Sequence, residues 1–269
     1  MPSRPRSRRA LLRGGAGALA AAVLTACSSA ARRVTIAAPP TPATAPHPTG
    51  TTPAAPPPRA TTTAARHSGP ATEVAHGPRD AARVALTFHG AGDPALAVQL
   101  LTAAERAGTH ITVMCVGTWL QDQPTVARRI LSGGHEVGNH TLHHYSDLAT
   151  RTLADTTDEF SAVAGLLVAQ VGTAGAYARP SAIQHATPTQ LAAAGAAGYA
   201  TVLSYDVDPA DYTDPGAALV VSRTLAMAQR GSIVSLHLGH AGTVTALPQI
   251  ISGLRARGLI PGTAAELLA

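Results

Sequence analysis

Aromatic side chains make up only 3% of this 269-residue chain and cysteines number two, against 45% hydrophobic residues. The shortage of aromatics means that aliphatic side chains must fill the core, and the length allows one sizeable core or at most two. With two cysteines, Cys27 and Cys115, a disulfide framework is excluded. Cys115 lies in the apolar run ITVMCVG and reads as a small buried hydrophobe. A spanning helix is not predicted either: the uncharged run from Gly14 to Ala31 is short, rich in alanine and contains three glycines.

Acidic residues are nearly missing from the N-terminal third. Residues 1–79 carry ten arginines and one acid, a net of +9, whereas residues 80–269 carry ten arginines and fourteen acids, a net of −4. The overall charge of +5 therefore belongs to the tail, and no nucleic-acid partner is expected.

That tail reads as a targeting segment. Arg8 and Arg9 precede an alanine- and leucine-rich stretch that ends Leu24-Thr25-Ala26-Cys27. The paired arginines resemble a twin-arginine export signal, and the ending resembles a lipoprotein box in which an acylated Cys27 becomes the mature N-terminus. Residues 1–27 are thus expected to be a signal peptide. Lipid on Cys27 would hold the protein at the outer face of a bacterial cell membrane, extracytoplasmic, without a spanning segment, whereas an ordinary cleaved signal with an incidental Cys27 would leave it secreted. Residues 28–79, dominated by Pro, Thr and Ala, have too few large apolar side chains to fold and are expected to form a tether.

From Asp80 to the end, short apolar strands alternate with helical stretches: RVALTFHG before DPALAVQLLTAAERAG, HITVMCVG before QPTVARRILSGG, HEVGNHT before TLADTTDEFSAVAGLLVAQV. GAYARPS, ATVLSYDVD, GSIVSLHLG and LIPGTAAELL continue the rhythm. Six or seven such units predict a parallel α/β sheet closed into a distorted, TIM-like (β/α) barrel of about seven strands, with an open doubly wound sheet as the rival. Polar residues sit where these strands end: His89, His140, Arg179, Asp206, Asp208 and His237. In a parallel fold those ends converge on one face, where ligands bind.

One stretch on that face, GHEVGNHTLHH, holds four histidines, His135, His140, His143 and His144. His140 and His144 are four apart where a strand gives way to a loop or helical turn, a spacing that lets two imidazoles converge on one ion.

These segments together resemble the polysaccharide deacetylases, the NodB-like carbohydrate esterases of family 4, over about residues 80–265. GHEVGNHTLHH matches the family's His-Ser/Thr-x-x-His motif, RVALTFHGAGDP its first motif, YARPS its arginine motif, YDVDPADY its Asp-x-x-Asp-Trp motif, and GSIVSLH its Leu-x-His motif. The resemblance implies a distorted (β/α) barrel that uses zinc or another divalent metal to remove N- or O-acetyl groups from a polysaccharide. It implies that His140 and His144 are metal ligands, that His237 protonates the leaving group, and that Arg179 orients an active-site carboxylate. Asp208 and Asp211, with Asp206, would position Arg179 or His237, and a buried Arg179 is expected to have one of these acids as its mate.

The first motif departs from the family. Its Thr-Phe-Asp-Asp-Gly supplies a base and a ligand, whereas here Thr87 and Phe88 are followed by His89 and Gly90. Tyr212 replaces the family's tryptophan and Ser181 a proline. Asp93, before Pro94, suits a helix N-cap, yet the glycines of HGAGD would let its carboxylate fold back towards the site. His89 has the chemistry for either missing role. The expectation is a site of His140, His144 and one of His89 or Asp93, the other handling the proton, with His135 and His143 outside it. A monomeric enzyme acting on cell-wall glycan follows, with an inactive glycan-binding surface lipoprotein as the alternative.

Overall fold

The computed structural model describes His67 and residues 69–269; the signal peptide, Cys27 and most of the tether lie outside the described residues. The elements run β1 (Thr72–Val74), β2 (Arg83–Gly90), α1 (Pro94–Arg106), β3 (Thr112–Cys115), α2 (Gly117–Asp122), α3 (Val126–Ser132), β4 (Glu136–Asn139) and α4 (Leu153–Val171). They continue with β5 (Tyr177–Ala178), α5 (Pro188–Ala196), β6 (Thr201–Leu203), α6 (Ala217–Met227), β7 (Ile233–His237), α7 (Ala241–Ala256), β8 (Ile260–Gly262) and α8 (Ala264–Leu268).

All strand pairs in the sheet are parallel, in the order β1-β6-β5-β4-β3-β2-β7, with β8 added beside β2. Two single-residue bridges, His76 to Ser232 and Val207 to Val234, draw the open ends together. The result is the expected distorted barrel, seamed by bridges rather than by a full ladder.

Alternation along β2 decides what faces where. Val84, Leu86 and Phe88 turn outward into the main aliphatic core with Leu100 and Leu101 of α1 and Leu247 and Ile250 of α7. Ala85 turns inward to a second cluster with Met114, Leu203, Ile233 and Leu267, which fills the bore. Thr87 and His89 share that inner face by the period of two, so His89 reaches the C-terminal mouth of the barrel.

Three boundaries differ from the expectation. Thr72–Val74, assigned to the tether, forms β1 and pairs with Thr201–Leu203. The folded region therefore begins before Asp80; a three-residue strand at the edge of a Pro/Thr/Ala tract carries no compositional signal. β5 is two residues long because Pro180 ends the ladder right after Arg179. The helix expected over QPTVARRILSGG is preceded by a separate short one, α2, with Pro124 in the gap before α3. Among the described residues no helix is long and apolar enough to cross a membrane.

Candidate metal centre

Three imidazoles meet at the mouth of the barrel. His89, His140 and His144 each offer a ring nitrogen, and these atoms lie within 4.8 Å of one another. The ring centroids of His89 and His140 are 4.2 Å apart, and those of His140 and His144 4.8 Å.

Different elements deliver each ring. His89 stands on β2 directly opposite His237 of β7, the two Cα atoms being register partners, and their rings are 4.3 Å apart. His140 follows the last residue of β4, and its Nδ1–H donates to the carbonyl of Arg179 at 2.9 Å. An acceptor carbonyl at Nδ1 fixes the tautomer and leaves the Nε2 lone pair free. His144 comes from a loop, the first of the two conformations expected there, and not from a helical turn. Thr141 and His144 both have positive φ, 65° and 55°, a conformation disfavoured for a β-branched residue such as Thr141.

Asn139 explains how that strain is held. Its side chain is buried, donating to the Phe160 carbonyl at 2.7 Å and the Tyr199 hydroxyl at 2.9 Å, while its Oδ1 accepts the Thr141 N–H at 3.0 Å. Gly117 and Thr118 donate their N–H groups to the Thr141 and Leu142 carbonyls, both at 2.9 Å. A strained backbone kept by so many partners is characteristic of a ligand-presenting loop.

The donor set fits a divalent metal of the zinc type. His89 Nδ1 and His140 Nε2 are buried and have no hydrogen-bond partner among the described residues. Lone pairs sealed from water are costly unless something occupies them. Burial, followed by the neighbouring His140, His237, Arg179 and His144, holds the His89 imidazole well below its ordinary value; burial does the same to His140 and, less strongly, to His144. All three are thereby biased to the neutral, ligating form.

Asp93 stands apart from this group, which corrects its expected place as ligand or base. It is exposed, and its Oδ1 accepts the Ala95 N–H at 2.8 Å as the N-cap of α1. The ring that joins His140 and His144 is His89.

His237 closes β7 beside His89. Its Nδ1–H donates to Asp211 Oδ1 at 2.7 Å and its backbone N–H to Asp211 Oδ2 at 2.9 Å, while Thr243 Oγ1 donates to the same Oδ2 at 2.6 Å. The buried acid that orients His237 is therefore Asp211. Asp208 instead accepts the Ala210 N–H at 2.8 Å in a turn and lines the cavity. Asp206 faces away, bound to Arg79, Ser232 and the Ile233 N–H.

Arg179 overturns the expectation of an acidic mate. It is buried, with Nε donating to the Leu203 carbonyl at 2.6 Å and Nη2 to Thr87 Oγ1 at 2.9 Å; Nη1 has no partner among the described residues. Among the described residues no carboxylate hydrogen-bonds it, and burial lowers its pKa to about 10. The resemblance implies an active-site carboxylate for Arg179 to orient, and His89 stands where the first motif would place one.

His143 and His135 lie outside the triad. His143 pairs with Glu159 at 2.6 Å, and His135 is buried, accepting the Ile111 N–H at 3.2 Å. Ser235, 2.9 Å from His89 Nε2, was not singled out from sequence, although its place two residues before His237 puts it on the same strand face. A cavity of ≈ 320 Å³ opens over the centre, walled by Ala182, Gln184, Tyr205, Tyr212, Ser235 and His237 among others.

Residues 76–202 match the family model for polysaccharide deacetylase. The peptidoglycan-N-acetylglucosamine deacetylase of Bacillus cereus is 30% identical over 189 residues, covering 69% of this chain and 87% of that protein. The chitooligosaccharide deacetylase of a Bradyrhizobium species is 31% identical over 191 residues, covering 65% and 85%. A CE4 family pseudoenzyme from Bacillus anthracis shares the fold, with a TM-score of 0.70 at 21% identity over 74% of this chain and 69% of that one. On this similarity in sequence and architecture, the chain belongs to the polysaccharide deacetylases, the NodB-like carbohydrate esterases of family 4.

Proposed function

We propose that this chain is a divalent-metal-dependent deacetylase, with zinc the best match, that hydrolyses acetyl groups on an extracellular polysaccharide. N-acetylated cell-wall glycan is the preferred substrate class, since two relatives are named for N-acetylglucosamine polymer or chitooligosaccharide deacetylation. Export by residues 1–27, lipid at Cys27 and a tether that precedes the barrel in the chain would hold the enzyme at the cell-wall side of the membrane.

One observation carries the reading: the buried, partnerless nitrogens of His89 and His140 converge with His144 beside a histidine held by a buried aspartate. A bound divalent ion would supply Lewis-acid polarisation of the acyl carbonyl and a more acidic water. Arg179 contributes through its carbonyl, which keeps His140 in the Nδ1–H form. Asp211 does the same for His237, leaving its Nε2 to move protons. With no carboxylate at position 89, His237 takes the proton as the water oxygen bonds the acyl carbon. It then gives that proton to the departing nitrogen as the C–N bond breaks, releasing acetate and the amine.

Arg179 favours a second reading. A buried guanidinium without its carboxylate fits a barrel that has kept glycan binding and lost turnover. One solved relative is a mutant of the Bacillus anthracis pseudoenzyme described as having restored enzymatic activity, which shows that this fold tolerates both states. Metal analysis combined with acetate release from chitooligosaccharide, peptidoglycan and acetylxylan separates them. Release from a glycan supports the enzyme, and glycan binding without release supports the second reading.

A further inference from the structure

The N-terminal strand is attached to the wall of the cavity. β1 is three residues long and sits at the edge of the sheet, where it adds little core. Yet the Glu73 side chain is only 26% exposed. A carboxylate drawn that far from water is destabilising unless its oxygens are bonded. Glu73 Oε1 accepts the Ser204 hydroxyl at 2.5 Å and the Ala186 N–H at 2.8 Å, and His185 Nδ1 lies 3.5 Å away.

Both bonded groups adjoin cavity residues. Ala186 ends the loop whose Ala182, Ile183 and Gln184 line the cavity, and Ser204 precedes Tyr205, the facing wall. Gln184 Nε2 donates to the Tyr205 carbonyl at 2.9 Å, so the two walls touch each other as well as sharing Glu73. The loop is fastened at its other end by Ser181, which donates to the Tyr145 carbonyl at 3.0 Å, next to His144. Between these anchors Ala182 is held at a φ of 58°, a left-handed conformation that is strained for a non-glycine residue and persists only under constraint.

We infer that Glu73 is a positioning residue for the glycan: it fixes the Ala182–Gln184 wall against Tyr205 and sets the width of the groove. It does so without touching the histidine triad. The inference rests on the cavity being the glycan site. Arg79 braces the same strip from behind, with Nη2 on Asp206 Oδ2 at 2.8 Å and Nη1 on the Arg230 carbonyl at 2.9 Å. The junction between tether and barrel thus forms part of the substrate apparatus.

The test compares Glu73→Ala and Glu73→Gln in the full-length protein, read by chitooligosaccharide affinity, KM, kcat and metal content. Glu73→Ala should raise KM or Kd by about tenfold, the usual effect of losing a charged hydrogen-bond acceptor, while kcat stays within about twofold and metal content is unchanged. Glu73→Gln, which can still accept from Ala186, should recover most of the loss. Should Glu73→Ala misfold, Ser204→Ala removes one of the same bonds from the opposite side and should raise KM or Kd in the same direction. Unchanged affinity in Glu73→Ala, or in Ser204→Ala where that variant stands in for it, would overturn the inference, as would parallel losses of kcat and metal. A wild-type protein that neither binds nor deacetylates any glycan would remove the proposed function itself, and this inference with it.

Discussion

His89 and His237 are register partners on adjacent parallel strands, so the residue that replaces the family's first aspartate lies ring to ring, at 4.3 Å, with the histidine proposed to move protons. On the proposed mechanism His89 ligates the metal, and the proton work falls to His237.

The two first-motif candidates should therefore separate in one experiment. His89→Ala should weaken metal binding by about a hundredfold or more, because a site with two protein ligands falls short of the three that catalytic zinc uses. Asp93→Ala should leave metal affinity unchanged and lower stability by about 1 kcal/mol through loss of the α1 N-cap. Isothermal titration with zinc and urea unfolding of both variants check this.

Asp211, rather than Asp208, should govern turnover. Asp211→Asn leaves one acceptor oxygen for the His237 N–H and Thr243 hydroxyl and turns an amide donor towards His237 Nδ1, which imposes the wrong tautomer and should cut kcat by about a thousandfold or more with metal retained. Asp208→Asn should change kcat by about tenfold or less, since that side chain caps a turn in the cavity wall. Steady-state acetate release measures both.

His135 should make the fold sensitive to acid. Burial lowers its pKa, and the opposing attraction of Glu105 is the smaller effect. The unfolded chain then binds more protons than the folded one, so stability is kept above the unfolded value of about 6.5 and lost as pH falls below it. His135→Gln should flatten part of that slope. Urea midpoints measured across pH 5 to 8, about the window set by the unfolded histidine value, test it.

Asn139 should be the most sensitive position of the ligand loop. Asn139→Ala orphans the buried Thr141 N–H and removes the bonds to the Phe160 carbonyl and to the Tyr199 hydroxyl, which keeps its own bond to the Ala174 carbonyl, and should cost about 2–4 kcal/mol. It should also release the strained Thr141 and weaken metal binding. Thermal unfolding with and without zinc shows both effects.

Much of this was readable from the chain. The strand RVALTFHG is β2 residue for residue, because its alternation and flanking polar residues are unambiguous. Of the polar residues at strand ends, His89, His140, Arg179, Asp208 and His237 gather at the barrel mouth, while Asp206 faces away. Partnership was not readable: that Asp211 rather than Asp208 reaches His237, or that Arg179 has no acid at all, depends on strand register and loop paths across distant segments. The His140 to His144 spacing allowed a helical turn, and only the clamp by Asn139 shows why the loop is left-handed instead. Asp93 satisfied two roles equally in sequence, and its N-cap bond decides between them.

X-ray absorption at the zinc edge of the metal-loaded protein tests the central claim most directly. Three imidazole nitrogens at about 2.0–2.1 Å, falling to two in His89→Ala, are the result that a His89, His140 and His144 centre predicts. Two imidazoles with a protein carboxylate as the third ligand, or a spectrum unaltered in His89→Ala, would contradict it.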